Sequence, residues 1–181
     1  SDIGFFVDPF TLRVWTAEVL AWLGRFEQAR ETLGPLPPPD VQMLAQLADD
    51  GRPIIRNRRA RYKGYPPRSL PAAWGIRGEA SLRKCGAKDI TPEKKFALAE
   101  QARQEADESL KLDILDHEAL VLWARATAVM ANHFADKNDM PAAQRLYDAA
   151  VAKLKEVPPD SLSAANARLF LENLKPPQPP R

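Results

Sequence analysis

The sequence is poor in the residues that build disulfide frameworks and metal centres. Its 181 residues include one cysteine, Cys85, and two histidines, His117 and His133. A lone cysteine excludes an internal disulfide and a cysteine-rich zinc site, so we predict a buried, structural thiol. The two histidines are sixteen residues apart, which is not the i, i+4 spacing of a helical metal pair. We therefore predict no metal and no cofactor.

Signals of catalysis and of membrane insertion are also missing. There is no glycine-rich phosphate loop and no serine in a nucleophile-elbow context, and adjacent carboxylates such as Asp107 and Glu108 point to different faces of a helix. No apolar run approaches the roughly 20 residues of a membrane helix. We expect a soluble, non-enzymatic domain, and a small-molecule substrate is not indicated. Because Ser1 is not an initiator, we expect a cytoplasmic or periplasmic piece of a longer protein, which could itself be an enzyme or membrane-anchored.

The charge is unevenly distributed along an otherwise ordinary globular composition. Hydrophobic residues make up 45% of the chain and charged residues 28%, and the formal net charge is +2. Residues 1–51 hold three basic and eight acidic residues, whereas residues 52–88 hold eleven basic and one acidic residue. The most basic stretch, residues 52–68, reads RPIIRNRRARYKGYPPR and contains three prolines. We predict an irregular loop there.

Proline and glycine divide the start of the chain into two predicted helices. Asp8-Pro9 combines a capping residue with proline at the first helical position, and Gly24 ends this helix. A short second helix stops before the break at 34–39. The apolar residues of the first helix recur at helical steps, which predicts that they form its buried face: Leu12, Trp15, Val19, Trp22 and Leu23. Large aromatic residues are first of all packing groups, so Trp74 and Trp123 are also predicted in the core.

Further helix signals follow along the chain. Asp40 is predicted to cap a short helix, Ser69 starts a helix toward Cys85, and Thr91-Pro92 starts a long helix to about Leu112. Residues 116–158 read as two antiparallel helices joined by a polar turn at 136–139. Asp160 or Ser161 is predicted to cap a last helix, whose buried face would carry Leu162, Ala165, Leu169 and Leu174.

Small and large residues recur in these helices at corresponding positions. Around the first turn they are Gly24, Phe26, Ala29 and Leu33; in the middle of the chain they are Trp74, Gly78, Ala102, Ala106, Ser109, Leu110 and Leu112. In the last helix pair they are Leu120, Trp123, Ala124, Met140, Ala143, Tyr147 and Ala150. This pattern resembles the tetratricopeptide repeat family, whose unit is a helical hairpin of about 34 residues.

The resemblance implies an all-α fold of antiparallel hairpins stacked as a short α-solenoid. The chain then divides into a single domain, 1–175, and a proline-rich tail, 176–181. Within the domain we expect hairpins at 8–35, 70–115 and 116–158, an irregular basic insertion at 36–69 and a capping helix at 160–174.

The resemblance further implies a scaffolding or interaction domain with a concave surface. A partner protein, or another part of the parent chain, would bind there. Carrying over the family's groove positions gives Glu79, Leu82, Glu118, Val121, Arg125 and Ala128. The simpler interpretation of Arg125 is a guanidinium that meets a carboxylate or a carbonyl, since an unpaired buried charge is costly.

The basic segment supports alternative functions. Its arginines could hold phosphates while its tyrosines stack on bases, so binding of nucleic acid, of an acidic protein or of an anionic lipid surface stays open beside a solvated loop. A further alternative is an accessory domain of a larger enzyme. The residues of the basic patch are Arg52, Arg56, Arg58, Arg59, Arg61, Tyr62, Lys63, Tyr65 and Arg68.

Overall fold

The computed structural model describes residues 9–36, 69–113 and 116–179, and these residues form seven α-helices and no strand. The predicted helix after Asp40 and the basic segment 52–68 lie outside the described residues. The helices are α1 (Pro9–Trp22), α2 (Phe26–Leu33), α3 (Ser69–Lys84), α4 (Pro92–Leu112), α5 (His117–Asp136), α6 (Met140–Lys155) and α7 (Ala164–Asn173). The all-α prediction is confirmed for this part of the chain.

Three of the helix starts are capped by short polar side chains. The side chains of Thr91, Asp116 and Asp139 accept hydrogen bonds from the backbone N–H groups of Lys94, Ala119 and Ala142. Such a cap satisfies a donor that the helix leaves unpaired and contributes about 1 kcal/mol. The predicted start at Thr91-Pro92 and the predicted turn before α6 are both confirmed.

Glycine forms the turn between α1 and α2. Gly24 has a φ of +77°, a left-handed conformation that residues with a side chain rarely adopt. Its N–H donates to the carbonyl of Ala21, which closes the end of α1. The second helix follows after this turn, and α1 and α2 pack against each other.

Each helix packs against the next one in the sequence, and alternate helices also meet. Contacts join α1 to α3, α3 to α5, and α5 to α7. The core is rich in alanine, which permits close approach of the helices. At Gly78 on α3, an added Cβ would lie 2.7 Å from Leu122 Cδ2 and 3.1 Å from the Ala102 carbonyl oxygen. The absence of a side chain at Gly78 therefore allows α3 to pack closely on α4 and α5.

The prediction for the buried face of α1 is wrong. The five residues predicted inside, Leu12, Trp15, Val19, Trp22 and Leu23, are all at least half exposed, and Trp22 is 88% exposed. The buried residues of α1 are instead Val14 and Ala17, which pack in one cluster with Ala29 and Leu33 of α2. Small side chains let α1 lie close to its neighbours, and this leaves the large apolar residues on the opposite side. Trp74 and Trp123 are half-buried and pack against the core.

The prediction for the last helix needs a similar correction. The helix α7 begins at Ala164 rather than after Asp160 or Ser161, because backbone hydrogen bonds from Ser161 to Pro158 and from Ala164 to Ser161 form turns first. Leu162 is fully exposed, and Leu169 and Ala165 are exposed. The residues that pack on α5 and α6 are Ala167, Phe170, Leu171 and Leu174.

Candidate partner-binding surface

The contacts of α1 with α3 and of α3 with α5 bring one acidic side chain from each helix to the same side of the molecule. Glu79 on α3 and Glu118 on α5 are close enough for their charges to interact, and so are Glu118 and Glu18 on α1. The sequence separates these three residues by 39 or more positions. Helix packing, rather than any local motif, therefore assembles this group of carboxylates.

Glu79 is neutralised by two arginines. Its Oε2 lies 2.8 Å from Nη1 of Arg125, and its Oε1 lies 2.7 Å from Nε of Arg83. The expectation that Arg125 meets a carboxylate is confirmed. Both pairs are partly exposed, so each contributes little to stability by itself, but together they hold the Glu79 side chain in place.

Glu18 and Glu118 have no such partner. No ion pair within 4.0 Å involves either carboxylate among the described residues. Both residues are exposed, but the surrounding protein partly desolvates their carboxylates. This desolvation raises the pKa of Glu118 above its ordinary value, and the neighbouring charges of Asp116 and Glu79 raise it further. Desolvation likewise raises the pKa of Glu18, with a contribution from Glu118. Both groups therefore lie where a positive charge would be favourable.

Exposed apolar residues lie beside these carboxylates on α1. Trp15, Val19 and Trp22 recur at steps of four and three residues. Glu18 lies three residues after Trp15 and four before Trp22, so all four side chains lie on one side of the helix. We call the set Trp15, Glu18, Val19, Trp22, Glu79 and Glu118 the acidic–apolar surface. It combines aromatic contact area with negative charge.

An acidic cleft adjoins this surface at the start of α5. Its volume is about 660 Å³, and Glu118 lines both the cleft and the surface. Asp116 also lines it, but its carboxylate caps α5 and lies 2.6 Å from the Ser109 hydroxyl. Within 9–36, 69–113 and 116–179, no three His, Cys, Asp or Glu side chains are placed to hold a metal ion. The other lining residues are Asp113, His117, Pro158, Asp160, Ser161, Leu162 and Ser163.

The structure separates the six predicted groove residues into two groups. Glu79, Glu118 and Arg125 reach the surface described above. Leu82, Val121 and Ala128 are buried in the hydrophobic core and offer less than a tenth of their area to a partner. On this side of the molecule the large exposed apolar side chains belong to α1. The predicted basic patch lies wholly outside the described residues, so its role stays a prediction.

A buried ion-pair network fixes the helices behind this surface. Glu105 on α4 is 5% exposed, and its carboxylate oxygens accept hydrogen bonds from Arg30, Arg77 and Ser81, at 3.0, 3.4 and 2.9 Å. Arg30 lies on α2 and Arg77 on α3, so the network joins three helices. Sequence reasoning missed it. One feature of the sequence could have indicated this network. Glu105 lies on the same face of α4 as Ala99, Ala102, Ala106 and Ser109, where a buried side chain is expected.

Comparison with known proteins gives no relative for this arrangement. No family model, no curated protein and no solved structure matches the chain significantly. No helix in the described part of the chain is long and apolar enough to cross a membrane.

Proposed function

We propose that this chain is a protein-interaction domain and that the side of the molecule formed by α1, α3 and α5 binds a polypeptide. The polypeptide would be a partner protein or another part of the parent chain. The succession of helix pairs supports a short solenoid similar to tetratricopeptide repeats, because each helix packs on the next and alternate helices also touch. In such an array the alternate helices share one face and can contact an extended ligand together.

The observation that carries the proposal is the exposed apolar face of α1. Single exposed apolar residues are common, but this helix exposes four large ones, two of them tryptophans, and Leu23 just after its end is also exposed. Contiguous exposed apolar patches mark interaction sites in soluble proteins. Tryptophan is also enriched among the few residues that supply most of the energy of a protein interface.

The polar side chains of this side of the molecule suit recognition better than chemistry. Glu79 is occupied by Arg83 and Arg125, and Asp116 is occupied as a helix cap. A binding surface needs polar groups held in fixed positions around an apolar centre, and this arrangement provides them.

The test is capture of partners from the native source with three immobilised proteins. The first is the unchanged protein, the second carries Trp15→Ser and Trp22→Ser, and the third carries Leu169→Ser as a control on the exposed face of α7. We expect proteins that are retained by the first and third and lost from the second. Equal retention on all three would contradict the proposal.

A further inference from the structure

We propose that the occupant of the acidic–apolar surface is a basic peptide segment with apolar side chains, contributed by a different polypeptide. This inference rests on the proposed function and specifies the chemistry of the partner. It follows from the arrangement of charge, of aromatic area and of unused carboxylates on one side of the molecule.

The charges favour a cationic ligand. Glu79 already has two arginine partners, so within the described part of the chain the negative charge that lacks an ion-pair partner belongs to Glu18 and Glu118. A lysine or arginine of the ligand placed between these two carboxylates would reduce their mutual repulsion and form charge-assisted hydrogen bonds. The raised pKa values of Glu18 and Glu118 agree with this, since desolvation and like charge raise them and no cation among the described residues offsets these effects.

The apolar residues set the length and the pattern of the ligand. Trp15 and Trp22 are seven residues apart on α1, which corresponds to roughly 10 Å along the helix axis. That distance matches about two turns of a partner helix with apolar residues at i, i+4 and i+7. The indole faces can also attract lysine or arginine side chains of the ligand. A short amphipathic helix with a basic flank therefore fits the surface.

Two other occupants fit less well. A nucleic acid would bring phosphates toward Glu18 and Glu118, which would repel them. A second copy of this chain in a symmetric dimer would place the same patch on both sides of the interface, which would bring the Glu18 and Glu118 carboxylates of both copies into one interface. A basic segment meets neither obstacle.

The probe for the test is a fluorescein-labelled synthetic peptide of lysine and leucine, with leucines at i, i+4 and i+7. Fluorescence anisotropy at low salt measures its binding to the full chain. The double variant Glu18→Gln/Glu118→Gln should weaken binding about tenfold, because two charge-assisted contacts are lost. The matched control is Glu172→Gln, an exposed glutamate on α7, and should leave binding unchanged.

The apolar half of the surface has its own variant. Trp22→Ala should also weaken binding about tenfold, since buried aromatic anchors carry much of an interface's energy. Leu169→Ala, an exposed leucine on α7, is the control and should bind as the unchanged protein does. Circular dichroism shows whether each variant is folded before binding is compared.

Two results with the peptides would overturn the inference. The first is that an acidic peptide, with glutamate in place of lysine, binds as well as the basic one. If that binding still needs Trp22, the proposed docking side stands and only the charge of the partner is wrong. The second is that neither peptide binds; the capture experiment then tests the proposed function separately.

Two other results would identify a different occupant and would also overturn the inference. A dimer seen in sedimentation, and dissociated by Trp22→Ala, would identify a second copy of the chain. A rise in the acrylamide quenching of tryptophan fluorescence when Arg56, Arg58, Arg59 and Arg61 are replaced by alanine would identify the chain's own basic segment.

Discussion

Replacement of the buried Glu105 is the most informative perturbation of the fold. Its carboxylate is the only anion between Arg30 and Arg77 among the ion pairs of the described residues, and it joins α4 to α2 and α3. Gln101 adds a further hydrogen bond at 3.3 Å. In Glu105→Ala both guanidinium groups lose their counter-charge while they stay partly buried.

The expected loss is large for one side chain. Removing one partner of a buried ion pair costs about 3–5 kcal/mol, because the remaining charge is left uncompensated. The two arginines are 18–19% exposed, so water can reach part of each group, and we expect about 3 kcal/mol, near the lower end of that range. The free energy of unfolding of a domain is only about 5–15 kcal/mol. One substitution would therefore remove a substantial part of it.

Urea denaturation followed by circular dichroism at equilibrium measures this free energy. The matched control is Glu108→Ala, three residues further along α4, where the glutamate pairs with Lys111 at the exposed side of the helix. That pair should contribute less than about 1 kcal/mol. If Glu105→Ala and Glu108→Ala lowered the free energy of unfolding by equal, small amounts, the network around Glu105 would not be what stabilises the packing of these helices.

Three further predictions concern packing, charge and the thiol. Gly78→Ala should destabilise the protein by about 1–2 kcal/mol, because the new methyl group would clash with Leu122. Gly75 has open space around it, so Gly75→Ala should stabilise the same helix by up to about 1 kcal/mol. Urea denaturation measures both changes. Glu118→Gln should stabilise the protein at neutral pH, as denaturation across a pH series would measure. The folded-state pKa of Glu118 is raised, so its ionised form opposes folding, and the benefit of the substitution should vanish below the unfolded-state pKa of about 4.3. Cys85 is buried and its thiol is hydrogen-bonded to two carbonyl oxygens, and burial raises the pKa of the thiol. Its reaction with a thiol reagent should therefore be at least about a hundredfold slower in the folded than in the urea-unfolded protein.

Each of these predictions has an outcome that would count against it. A Gly78→Ala protein as stable as the Gly75→Ala protein would mean that α3 does not approach α5 closely. A stabilising effect of Glu118→Gln that persists unchanged at pH 3 would mean that the ionised carboxylate is not its cause. Rapid reaction of Cys85 in the folded protein would contradict its burial.

The sequence predicts the position of most of the described helices because the signals for helix ends are local. Three helices start at a residue whose side chain accepts a hydrogen bond from the backbone of the first turn: Thr91, Asp116 and Asp139. Gly24 ends α1 because it adopts a positive φ. Such signals need no knowledge of the remaining chain. The start of α7 was misplaced because turns formed by backbone hydrogen bonds, which any residue can make, precede it.

The face that a helix buries depends on its neighbours and is less accessible from sequence. The helix α1 has two apolar faces, one with the large Trp15 and Trp22 and one with the small Val14 and Ala17. Periodicity favours the first face, because large apolar residues recur on it, but periodicity does not show which face a neighbouring helix covers. The choice follows from packing against the neighbouring helices, where Val14 and Ala17 join one buried cluster with residues of α2 and α3. The acidic–apolar surface could not be predicted for the same reason.

Acrylamide quenching of tryptophan fluorescence tests the central claim most directly. Trp15 and Trp22 should be strongly quenched in the unliganded protein, because both are exposed. Addition of the lysine–leucine peptide should protect them, and this protection should be lost in Glu18→Gln/Glu118→Gln and kept in Glu172→Gln. Quenching that the peptide does not change, or protection that survives in the double variant, would contradict the account of this surface as a site for a basic partner.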